Sequence, residues 1–157
     1  MGNYCYEKLK GHILSLSESD DFEVAKREWV LNSIEISEKE AYCPCGQKIK
    51  EHCFITNKLN NNATCVGSIC MHKFLEIPTR TLFLGLRKIK KNTSSNANLS
   101  LIEYAKEKGF IYNNEYVFLV STINKKNLSG RQLNWKVRIN TRILNETIVL
   151  DRTIKDF

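Results

Sequence analysis

The chain has 157 residues, of which 42% are hydrophobic and 26% charged, with a net charge of +7 and six cysteines. That is long enough to bury a core without covalent staples, and the composition excludes a disordered tail, a collagen, a coiled-coil rod and a disulfide miniprotein. No run of about 18 apolar residues marks a membrane span. The start Met1-Gly2-Asn3-Tyr4-Cys5-Tyr6 lacks the apolar stretch of a secretory signal, and Tyr6 stands where a myristoylation motif wants Ser or Thr. The expectation is a cytoplasmic protein whose cysteines are thiols or metal ligands.

Tyr6, Leu9, Ile13 and Leu16 recur at helical spacing and predict an amphipathic helix over 4–16. After a polar break, Asp20 and Glu23 read as the capping box of a second short helix. Val30, Ile34 and Ile36 share one parity and predict a strand over 29–37. Cys43-Pro44-Cys45-Gly46 is a tight turn, 49–57 a strand, Asn60-Asn61-Asn62 a turn and 63–66 the returning strand. Gly67-Ser68 opens a helix carrying Cys70, Phe74 and Leu75 that stops near Pro78.

The rest reads as helical. Leu82, Leu86 and Ile89 define one helix, 92–98 is a polar linker, and a second helix from Leu99 ends at Gly109. A third covers 114–124. Leu133, Trp135, Val137 and Ile139 alternate as a strand would, but Ser129 and Gln132 form a capping box with Leu128 before it, so a helix is expected there. Charge divides with these elements. Residues 1–80 hold ten Lys and Arg against eleven Asp and Glu, whereas 81–157 hold fourteen against six, a net of +8. Such a half attracts phosphate backbones, or serves as a solvated, solubilising surface.

Cys43, Cys45, Cys53 and Cys70 are spaced C-x-C-x7-C-x16-C. Zinc takes four soft or borderline ligands in a tetrahedron, and a Cys-x-Cys turn beside glycine offers two from one loop. Gly46 suits a backbone folding around a metal with little room for a Cβ. Cys70 falls near a helix N-terminus, which favours a thiolate. Cys43, Cys45 and Cys70 carry the pattern; Cys53 is the chosen fourth ligand, with Cys65 and His72 as alternatives. Four protein ligands make a closed, structural zinc site. The alternative is buried free thiols. The fold expected is therefore α+β: a zinc-ribbon or treble-clef-like hairpin unit (43–77) flanked by helices within 1–80, and a mostly helical basic region, 81–157, packed with it as one domain.

Several segments together resemble a known group. They are Ala25-Lys26-Arg27-Glu28-Trp29, Cys43-Pro44-Cys45-Gly46, Ile49-Lys50-Glu51-His52-Cys53, Asn57, Val66-Gly67-Ser68-Ile69-Cys70, Phe74, Leu101-Ile102-Glu103-Tyr104-Ala105, Glu107-Lys108-Gly109 and Leu128-Ser129-Gly130-Arg131-Gln132-Leu133. The group comprises small uncharacterised bacterial and phage-type zinc-ribbon-like proteins. The similarity spans about 20–145 and its specific motifs lie in 43–74. It implies a zinc fold and a nucleic-acid setting, and no particular activity.

The function expected is a zinc-stabilised nucleic-acid-binding accessory protein. Its contacts would be Arg87, Lys88, Lys90 and Lys91, then Arg131, Lys136, Arg138 and Arg142, with Trp135 stacking on a base or packing in a core. The alternative is an adapter or phage or host regulator that docks its basic surface on an acidic protein partner. Catalysis is not expected: His12, His52 and His72 are the only histidines, no nucleophile or phosphate-loop motif occurs, and Glu51 and His52 point to opposite faces of a strand.

Overall fold

In the computed structural model, which describes residues 3–149, the chain is α+β. Among those residues are seven α-helices and one three-stranded antiparallel sheet of order β1-β2-β3. The chain divides into two compact units between Arg80 and Thr81.

The first unit opens with α1 (Asn3–Ser15), which buries Leu9 and Ile13. Helix α2 (Phe22–Ala25) follows, then a 3-10 turn at Lys26–Glu28. The α2 cap is Asp21, one residue later than expected, because its carboxylate accepts from the N–H groups of Glu23 (2.9 Å) and Val24 (3.3 Å). The polar break between α1 and α2 is tied down by Glu28, a buried carboxylate. It accepts from Asn57 Nδ2 (2.8 Å) and from the N–H groups of Glu18 (2.7 Å) and Ser19 (3.0 Å). Those bonds, Asn57 foremost, hold its carboxyl below the usual range. The asparagine run has a use beyond turning the chain. Asn60 and Asn62 donate to the carbonyl of Leu16 at 3.1 and 3.0 Å, satisfying the C-terminal end of α1.

Strand β1 (Trp29–Tyr42) is longer than predicted and does not keep one parity. Trp29 and Leu31 face the core while Val30 is exposed; then the pairing slips between Leu31 and Ser33, and Ile34 and Ile36 turn inward. The β-bulge adds one residue and so reverses which positions are buried. Strands β2 (Lys48–Asn57) and β3 (Ala63–Gly67) complete the meander, with Ile34, Cys53 and Val66 aligned across it. Helix α3 (Ser68–Leu75) leaves the end of β3 at once and stops at Glu76 in the left-handed conformation, φ 57°.

The second unit's described elements are all helical: α4 (Thr79–Lys91, whose first two residues precede the boundary), α5 (Leu99–Lys108), α6 (Asn113–Ser121) and α7 (Gly130–Leu144). Leu82, Phe83, Leu86, Ile89, Leu101, Ile102, Ile139 and Ile143 are buried. Gly109 ends α5 at φ 79°, and Ser129 with Gln132 caps α7, which settles the strand-or-helix ambiguity of 130–144 in favour of helix. Asn140 of α7 donates to the carbonyls of Thr93 and Ser95 at 2.8 and 2.9 Å, fixing the polar linker. Glu115 of α6 is 4% exposed and receives both arms of the Arg142 guanidinium, at 2.6 and 3.1 Å, and the indole N–H of Trp135 at 3.2 Å. Burial alone would raise the Glu115 carboxyl; Arg142, the Tyr112 N–H and Trp135 outweigh it and leave it below the usual range.

Replacing Glu115 by Gln leaves Arg142 and the indole without their anion. The expected loss is about 2 kcal/mol, below that of a fully enclosed pair because Arg142 stays partly hydrated. Urea unfolding measures it. Because the folded Glu115 has the lower pKa, its contribution is complete above the unfolded value of about 4.3 and drains away as the pH falls through the folded one. The gap between wild type and Glu115→Gln should close over that acid range and stay constant above it.

Candidate metal centre and basic cleft

Two of the three cysteines that meet are brought together by one turn. The Cys43 carbonyl accepts the Gly46 N–H and the Cys43 N–H reaches the Gln47 carbonyl, both at 2.8 Å. Pro44 presets the turn at its second position. Gly46 stands at φ 98°, and a Cβ there would meet only the end of Lys8 at 3.4 Å. Its value is therefore the left-handed backbone, not the crowding expected from the sequence. The third cysteine arrives through topology. In the antiparallel meander β3 runs back toward the start of β2, and its last residue, Gly67, is opposite His52 in the middle of β2. A Cβ on Gly67 would sit 2.8 Å from Ile49 Cγ2 and 3.9 Å from the Cys43 Cβ, so glycine permits the close approach that delivers Cys70, in the first turn of α3.

The ligand atoms of Cys43, Cys45 and Cys70 lie within 4.8 Å of one another, and the three residues are 3%, 2% and 3% exposed. These three buried thiols can bind a metal ion. The Cys70 thiol beside Cys43, against the cost of burial and with help from the N–H groups of Cys45 and Gly67, brings Cys43 down to about 5. The same contact, with burial, pushes Cys70 up, and burial raises Cys45. Three thiolates this close repel. A divalent cation among them would offset that repulsion and favour the thiolate forms.

Cys53, the expected fourth ligand, is not in this group, nor are Cys65 and His72. Cys53 is fully buried between Ile34 and Val66 in the core of the sheet, and burial pushes its thiol up to about 12. His72 Nδ1 is 3.0 Å from the Ile77 carbonyl oxygen. Glu51 accepts from the Ser68 hydroxyl at 2.6 Å, while the ring of His52 lies 6.1 Å from that of Phe54.

The expected nucleic-acid contacts fall into two groups. Arg87, Lys88, Lys90 and Lys91 of α4 and Arg131 and Arg138 of α7 are exposed. Arg142 is committed to Glu115, and Trp135, besides its bond to Glu115, stacks on Phe118 at 4.3 Å between centroids with 16° between planes. Both are occupied in packing the unit. Lys136 is 2% exposed and its ammonium donates to Asn96 Oδ1. It lines a cleft of about 420 Å3 together with Lys88, Lys125 and Lys126, and burial followed by repulsion from Lys88 lowers its pKa. Sequence reasoning passed over Lys125, Lys126 and Asn96. The charge pair in Asn124-Lys125-Lys126-Asn127 was visible, but its convergence with α4 and α7 was not.

No family model, curated protein or solved structure matches the chain.

The cysteine site is checked with cobalt(II), whose bonds to thiolate sulfur absorb in the near ultraviolet. One equivalent per chain should give that absorption. Cys43→Ser, Cys45→Ser and Cys70→Ser should each weaken or abolish it, and Cys53→Ser should leave it in place.

Proposed function

We propose that this chain is a zinc-stabilised accessory protein that binds the phosphate backbone of nucleic acid and catalyses nothing itself. The observation that carries the binding half is the meeting of two basic helices at one cleft, where Lys88 of α4 faces Lys136 of α7 and no acidic residue lines the wall. The sequence-level excess of +8 over 81–157 thereby gains a place to act. Lys91, Arg131 and Arg138 extend the exposed charge along the same two helices. Neutralising phosphates with such side chains releases condensed counterions, which gives affinity without base specificity.

The metal half rests on the thiol trio. Zinc suits it because thiolates are soft ligands and zinc imposes no redox chemistry or d-electron geometry. Cys43, Cys45 and Cys70 would hold it, with a fourth donor from outside the trio, and the ion would link the 43–47 turn to α3. Burial of all three sulfur-bearing residues favours a structural role. Such a centre accords with the resemblance to zinc-ribbon-like proteins.

Fluorescence anisotropy with labelled duplex and single strands tests the binding half. Affinity should fall steeply between about 50 and 200 mM salt. Combining Lys91→Gln, Arg131→Gln and Arg138→Gln should reduce the slope of log K against log salt by about 2–3. Absence of binding at low salt would end this reading. Recovery of one stoichiometric acidic protein that survives nuclease treatment would put the adapter reading in its place.

A further inference from the structure

Lys136 is a buried cation whose charge nothing in the cleft balances. Its side chain rises from α7 beneath the 92–98 linker, and among the described residues its one hydrogen-bond partner is the neutral Asn96. Asn96 is itself oriented: its Nδ2 donates to the Lys125 carbonyl at 3.0 Å, so its Oδ1 is turned to the ammonium. An ammonium has three N–H donors, and Asn96 accepts one. Lys88, Lys125 and Lys126 line the same space, and none of the four pairs with a carboxylate of the described residues. Ser94, on the same wall, adds a hydroxyl.

Burying a charge without a counter-charge is costly. Placing three further lysines around it adds repulsion. A surface shaped only for solubility would spread these charges apart, and a lysine meant only for packing would send its head to water along its flexible stem. Here the head is held inward by an amide fixed from behind.

We propose that this cleft is a binding site for a near-dianionic phosphate group, a terminal monoester or inorganic phosphate. Lys136 would contact the phosphate oxygens from the floor, with Lys88, Lys125 and Lys126 at the rim. A monoester carries nearly two negative charges at neutral pH and three acceptor oxygens, which matches several converging ammonium groups better than the single charge of a backbone phosphodiester. The site deepens the reading of this unit as a phosphate binder by naming the phosphate it prefers. Two sources offer that chemistry: the terminal phosphate of a nucleic-acid strand, and a free phosphate.

Thermal unfolding of the full chain is followed with inorganic phosphate and with chloride at equal ionic strength. Phosphate should raise the midpoint and saturate, and chloride should not. Lys136→Met keeps the stem and removes the charge. It should match or exceed wild-type stability in chloride and weaken phosphate binding about tenfold or more, the usual worth of a charged hydrogen bond. Lys125→Gln with Lys126→Gln, both exposed positions, should weaken it as well and serves if Lys136→Met does not fold. Strands identical except for a 5′-phosphate or a 5′-hydroxyl separate the sources. Tighter binding of the phosphorylated strand, lost in the variants, assigns a strand end; equal binding of both strands alongside saturation by phosphate assigns a free phosphate. A wild-type midpoint that responds alike to phosphate and chloride, or a phosphate response that both variants retain, overturns the site. The salt-dependent binding of unphosphorylated strands tests the backbone reading separately.

Discussion

Three thiols held within 4.8 Å of one another are the constraint from which the first unit follows. Such a cluster resists full ionisation, and a bound cation would relieve the repulsion. Assembling it takes one local and one non-local event. The turn at 43–47 supplies two sulfurs and needs a glycine at positive φ. The third requires β3 to return alongside β2 and hand the chain directly to α3, and it needs a second glycine, where a Cβ would collide with Ile49. A metal ion bound there would join the tip of the β1–β2 hairpin to the helix that follows β3. Such a link would couple metal affinity to folding of the unit.

The second unit contains two buried charges with opposite accounts. Glu115 is surrounded by donors from three places in the chain, and its charge is matched by a bidentate guanidinium. It welds α6 to α7 and consumes Arg142 and Trp135 in doing so. Lys136 has one neutral partner and cationic neighbours. The first is a charge matched within the core; the second is a charge without a counter-ion among the described residues, and the proposed anion site rests on it. The two charges sit on neighbouring helices, Glu115 on α6 and Lys136 on α7, and among the described residues only the first has a counter-ion.

Much of the local architecture was legible along the chain because its signals are local. The Cys-Pro-Cys-Gly turn, the Gly109 stop and the Ser129–Gln132 box each depend on residues within four positions of one another. The parity of β1 was not legible, since the bulge that moves Val30 outward depends on how β1 registers against β2. Cys53 shows the same limit: its spacing suits a ligand, but its pairing with Ile34 and Val66 places it in the core of the sheet, outside the group of three thiols. Arg131, Arg138 and Arg142 share a helix face by spacing, yet the last faces a carboxylate 27 residues away.

By itself, then, the amino-acid sequence determined the α+β class, the turn that pairs Cys43 with Cys45, the helix that carries Cys70, and the concentration of positive charge after residue 80. Those properties come from residue type, short-range spacing and counting, which need no knowledge of distant neighbours. The trio of Cys43, Cys45 and Cys70 was already expected from spacing; the tertiary structure alone decided that Cys53 lies outside it, that Arg142 and Trp135 serve the interior, and that Lys136 converges with Lys88, Lys125 and Lys126. Each is a meeting of segments far apart in the chain, and strand register and helix packing select which of many equally spaced candidates come into contact.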